Sequence, residues 1–164
     1  MPRHSEAVSN APYEVKNLML DVKKTILADG IPFLYAAAQV MVDGRRYYVV
    51  SSENPGGKAL LIDAETEECF LLPDGPGGVM TFIQAPGESA MLSIEEFYPV
   101  FNSASAKIIK TELHRQGGSI KVKKHVLAEV PYVHRISLLR EADGLYLAAG
   151  ILCRQKACSD DWST

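Results

Sequence analysis

The chain has 164 residues, 47% of them apolar and 23% charged, with a net charge of −3. That is enough length for one domain with its own core. The charge balance gives no reason to expect a nucleic-acid or anionic-membrane partner, since binding phosphate needs a surplus of Lys and Arg and the basic runs here are short.

No apolar run reaches the roughly 18–20 residues needed to cross a bilayer, so no membrane span is expected. The start, MPRHSEAVSNAPYE, is polar and lacks the apolar centre of a secretory signal. Cys69, Cys153 and Cys158 are an odd number of thiols at spacings that match no paired metal or redox motif. A reducing, cytoplasmic setting fits them best.

Residues 1–13 read as a disordered leader with nothing to bury, and 14–164 as a single β domain. Within 14–29, Val15, Leu18, Met19, Val22 and Ile26 follow helical spacing, while Lys16–Leu20 and Lys24–Leu27 suit short strands. Extended structure is expected here, because everything that follows is β. Ala36–Val42 and Arg45–Ser52 flank Asp43-Gly44, a hairpin signal, since both turn residues tolerate positive φ. A Pro-Gly-Gly loop leads to Lys58–Asp63, and a turn leads on to Glu68–Leu72. Four short antiparallel strands make a meander, the unit of a propeller blade.

The cycle restarts with Val79–Gln84, a turn at Ala85–Glu88, and Ala90–Phe97. After the loop 98–105 come Ala106–Leu113, the turn Gln116-Gly117-Gly118, and Ser119–Val130. Lys121–His125 alternates basic with apolar residues, as an outer strand with one wet face would. A third hairpin pairs Val133–Leu139 with Leu145–Leu152 around Glu141–Gly144. The starts of the three hairpins lie roughly 42 and 55 residues apart, within the range of blade repeats.

The expected fold is therefore all-β: antiparallel four-stranded meanders forming a partial β-propeller of about two and a half blades. The alternative is a β-sandwich. Two and a half blades do not close a ring, and propellers have four to eight. Either the chain is shortened, or another copy completes the sheet as a homo-oligomer.

Propeller geometry puts the loop before each first strand, and the loop after each second strand, on one face. His134 and Arg135 then sit near the axis, with Asp160, Asp161 and Trp162 on the same face. A histidine beside carboxylates suits a divalent metal held by His134 and Asp161, or acid–base catalysis by His134, Asp160 and Asp161. Arg135 suits a carboxylate or phosphate, and Trp162 a stacking wall. Glu53 and Glu96 follow the second strands of the first two blades, and Tyr35 takes the place of His134 in the first blade. The structural alternative is that His134 and Arg135 cap their strand and pair with the aspartates. The Gly-Gly pairs are turns, because no phosphate-loop pattern accompanies them.

At FYPVFNSASAKI (Phe97–Ile108), and across VHRISLL, DGLYLAAGIL and DDWS (Val133–Ser163), the chain resembles uncharacterised bacterial β-propeller proteins. More distantly it is similar to repeat propellers that include aldos-2-ulose dehydratase-type lyases. The resemblance implies a cup-shaped axial site for a sugar-like small molecule, with a metal-assisted lyase or isomerase as one alternative and a protein-interaction scaffold as another. The Asp-rich calcium loops of many such repeats are missing here. The resemblance assigns no cofactor beyond a divalent metal ion.

Overall fold

A computed structural model describes residues 24–27, 29–72, 77–98, 103–158 and 160–161. The expected leader at 1–13, the segment 14–23 and Trp162 lie outside the described residues. Within them the chain is all-β, with no helix and ten strands in three antiparallel sheets. Sheet 1 holds β1 (Leu34–Val42), β2 (Arg45–Ser52), β3 (Ala59–Asp63) and β4 (Cys69–Leu71). Sheet 2 holds β5 (Thr81–Gln84), β6 (Ala90–Glu95), β7 (Lys107–Gln116) and β8 (Ser119–Glu129). Sheet 3 holds β9 (Val133–Glu141) and β10 (Gly144–Ile151). In each sheet the strands neighbour one another in chain order.

Local chemistry explains the turns. Asp43 and Gly44 have φ of 49° and 78°, the doubly positive turn that matches the twist of two antiparallel strands. At the β3–β4 corner, the Asp63 carboxylate accepts hydrogen bonds from the N–H groups of Glu65 (2.9 Å) and Thr66 (3.0 Å). This closes the corner as an Asx turn. The third hairpin is tighter than the sequence suggests. Glu141 pairs directly with Gly144, leaving Ala142 and Asp143 as the turn, and the Tyr146 hydroxyl donates to Asp143 at 2.8 Å. Lys24–Leu27 forms no strand. It lies beside sheet 1, where the Leu27 carbonyl accepts from the Cys69 thiol.

The sheets stack in three layers. One core lies between sheets 1 and 2, with Val40, Tyr47 and Leu61 from the first packed with Phe82, Met91 and Leu113 from the second. A second core lies between sheets 2 and 3 and includes Leu92, Ile94, Ile108, Val133 and Ile136. Sheet 2 is thus covered on both faces, which is why all six residues of β6 are buried. Each sheet has a forward face, toward the next in chain order, and a back face. Alternation along the strands assigns Val40 and Tyr47 to the forward face of sheet 1, and Met41 and Tyr48 to its back face.

The first strands converge: β1 lies against β5, and β5 against β9. Hydrogen bonds tie the connecting loops together at one end of the stack. The N–H of Gly78 donates to the Asn54 carbonyl, that of Phe97 to Gly78, and that of Tyr132 to Ser103. At the opposite end, the Arg115 N–H donates to the Asp43 carboxylate at 2.7 Å. The Met41 N–H donates to the Gln84 side-chain oxygen. Both ends of the sheet 1–sheet 2 contact are therefore pinned by polar groups.

Candidate functional site

Where the first strands meet, an open groove of about 290 Å³ is lined by Tyr35, Ala36 and Ala37 of β1, by Met80, Thr81 and Phe82 at β5, and by Arg135 of β9. Alanines at two lining positions keep the wall next to Tyr35 low. A β-bulge in β9, where Gly150 pairs with Arg135 and Ile151 with Val133, sets His134 out of the regular ladder and re-aims the side chain after it.

The Arg135 guanidinium is the polar centre of this groove. Its Nη1 donates to the carbonyls of Met80 (3.2 Å) and His134 (3.0 Å), and its Nη2 to the Tyr35 hydroxyl (3.2 Å). The charge also lies over the Tyr35 ring, 5.8 Å from its centroid, at a distance where cation–π attraction operates. These three bonds leave the Nε–H and one Nη2 hydrogen without a partner among the described residues, from a planar group suited to carboxylates. Arg135 and Tyr35, placed on one axis by the repeat argument, stand 100 residues apart in sequence and touch.

The other expected site residues are distributed differently. His134 packs its ring on Phe97, with centroids 5.5 Å apart. Burial, and secondarily the Arg135 charge, pushes its pKa down from 6.5. That favours a neutral imidazole at physiological pH. Asp161 accepts from the Ala157 N–H at 3.0 Å, and its own N–H donates to the Cys158 carbonyl. Asp160 is exposed in the same tail. Glu53 is half-buried after β2, and its N–H donates to the Phe33 carbonyl. Glu96 pairs with Lys107 at 2.9 Å, and none of its atoms lines the groove. No group of three or more His, Cys, Asp or Glu side chains is gathered to hold a metal among the described residues. His134 instead has an aromatic ring and a cation as neighbours.

Two polar features escape a reading of the sequence. Glu95 is buried and accepts from the Ser93 hydroxyl (2.9 Å) and from Lys124 of β8 (2.9 Å). Lys124 is thus half-buried and paired, although it sits in a basic run that reads as a wet face. Asp63 pairs with Arg45 at 2.5 Å. Burial pushes its carboxyl up, but the Thr66 and Glu65 N–H groups and Arg45 outweigh that and hold it below the ordinary 3.8. Neither pair faces the groove. Each ties strands of one sheet together, β2 to β3 and β6 to β8.

Comparison with protein-family models, with curated proteins and with solved structures finds no match. Among the described residues, no helix is long and apolar enough to cross a membrane.

Proposed function

We propose that the three sheets are blades of a propeller-type fold, and that the groove between their first strands binds a small polar ligand carrying a carboxylate, of the sugar-acid class. The observation that carries this is Arg135, held rigidly by Met80, His134 and Tyr35 with donors to spare. A guanidinium already fixed by its own hydrogen bonds loses little side-chain freedom on binding. Thr81 adds a hydroxyl, and the exposed ring of Tyr35 supplies apolar surface against which a sugar can rest. Three free thiols support a reducing compartment for this activity.

The test is titration with galacturonate and, separately, galactose, followed by backbone amide shifts. Galacturonate should perturb residues 35–37, 80–82 and 135, with a dissociation constant of about 1 mM, as an open site with one charged anchor allows. Arg135→Lys should weaken binding about tenfold, because a lysine cannot offer the planar pair of donors. Equal binding of the neutral sugar, or shifts elsewhere, would remove the reading.

A further inference from the structure

We propose that the recess between the back face of sheet 1 and a strap formed by residues 25–27 and 29–31 binds a small hydrophobic amine, an ammonium carried on a flat apolar body. The recess shares no lining residue with the Arg135 groove, and the proposal depends neither on that groove nor on the sheets being blades.

The floor follows from the alternation of β2 and β3. Tyr47, Val49 and Leu61 point forward and are 0% exposed beneath sheet 2. Their neighbours therefore point back, and the register sets Tyr48 beside Ile62 and Val50 beside Leu60 on that face. Ile62 belongs to neither core, yet it is only 3% exposed. The strap is what shields it. The shielding is incomplete, because an open recess of about 480 Å³ remains between the two. Leu27 and Ile31 line it from the strap, and Tyr48, Val50 and Ile62 from the sheet. Its volume falls within the roughly 300–1,000 Å³ of small-molecule sites.

The strap is fastened unequally. At its far end the Ser52 hydroxyl donates to the Pro32 carbonyl at 2.8 Å. The bond that ties Leu27 to sheet 1 comes instead from the Cys69 thiol at 3.6 Å, and a thiol is a weak donor. Between the two, Gly30 turns the backbone at φ +72°, with nothing within 4 Å of an added Cβ. A ligand can therefore lift the Leu27 end without disturbing the ladder of sheet 1.

Charge selects among apolar ligands. Asp29 lines the recess. An adjoining recess shares Thr25, Leu27 and Tyr48 with it and continues to Asp63 and Glu67. Asp63 is held by Arg45, whereas Asp29 and Glu67 are in no ion pair among the described residues. No lysine, arginine or histidine among those residues lines either recess. A carboxylate-bearing ligand would meet only like charge there. An ammonium gains the Asp29 carboxylate and the face of the Tyr48 ring, which is 39% exposed.

The experiment is a backbone-amide titration of the full chain with three probes built on one ring: tryptamine, tryptophol and indole-3-propionate. They are cationic, neutral and anionic at neutral pH. Tryptamine should shift residues 25–27, 29–31, 48, 50 and 62, with a dissociation constant of about 1 mM. Tryptophol should bind about threefold more weakly, the share of a solvent-exposed ion pair, and the propionate more weakly still. Asp29→Asn should lower tryptamine to the affinity of tryptophol and leave tryptophol unchanged. Val50→Trp fills the recess and should abolish tryptamine binding with an unchanged circular dichroism spectrum. Should that variant lose its fold, Ile31→Trp fills the same space from the strap. A propionate that binds as tightly as tryptamine, an Asp29→Asn chain that keeps its preference for the amine, or tryptamine shifts at residues 80–82 and 135 instead would each overturn the proposal. Galacturonate reports on the Arg135 groove through those latter residues, so either reading can fail while the other stands.

Discussion

Two leucine-to-alanine substitutions test the layering with the same deleted atoms. Leu61 of β3 is 0% exposed in the core between sheets 1 and 2, whereas Leu139 of β9 is 47% exposed. Leu61→Ala removes buried methyl groups and leaves a cavity that packed β-strands relax only in part, a loss of about 2–5 kcal/mol. Leu139→Ala gives up about half of a leucine's burial and leaves no enclosed void, so about 1 kcal/mol is expected. Urea unfolding followed by circular dichroism, at protein concentrations too low for association, reads both losses from midpoint and slope. The Leu61 variant should be the less stable by at least about 1 kcal/mol, the smallest gap between the two mechanisms. Equal losses would mean that sheet 2 does not cover sheet 1, and the stacked arrangement would fall.

Other expectations are narrower. The Asp63 carboxyl lies below its ordinary 3.8 in the folded chain, so its contribution is complete above that pH and fades as pH falls below it. Asp63→Asn should therefore flatten the acid limb of a melting-temperature profile, and an unchanged limb would show that Asp63 has no part in it. The His134 ring protons should titrate with a midpoint below 6.5, and a midpoint above it would contradict the packing on Phe97. With an aromatic disulfide reagent, Cys69 and Cys158 should react at once and Cys153 only on unfolding. Three fast thiols would argue against its burial. At Gly78, φ is +62° and an added Cβ would lie 2.5 Å from the Tyr98 ring and 2.9 Å from the Phe97 nitrogen. Gly78→Ala should cost clearly more than Gly87→Ala, where φ is +74° but nothing lies within 4 Å.

Much of the fold is legible because hairpin chemistry is local. Asp43-Gly44 between two apolar runs specifies both the turn and the register of β1 with β2, and repetition of the pattern predicts three sheets of antiparallel neighbours. The side chain that faces inward is harder to read. In Arg45–Ser52 two tyrosines and two valines stand side by side, and only the register shows that Tyr47 is sealed while Tyr48 is open. The third turn misleads, since Asp143-Gly144 looks like the first hairpin's turn, yet the turn is Ala142-Asp143 and Gly144 pairs with Glu141 in the ladder.

The site divides in the same way. Blade equivalence puts Tyr35 and the start of β9 together, and Arg135 does meet Tyr35. The pairing of Lys124 with Glu95 could not be read, because it depends on which side of β8 faces the buried end of β6, and a run of mixed basic and apolar residues does not encode that. Lys24–Leu27 is as strand-like in composition as β4. It lies beside the edge strand β4, where the Leu27 carbonyl accepts from the Cys69 thiol, without joining the ladder.

The convergence of the first strands is tested most directly by the nuclear Overhauser effect between the Tyr35 ring protons and the Arg135 side chain. These groups are 100 residues apart, and the guanidinium carbon lies 5.8 Å from the ring centroid. A cross-peak that persists in dilute solution, and disappears in Arg135→Ala, is the predicted result. Its absence, with both residues assigned and ordered, would separate β1 from β9 and contradict the groove.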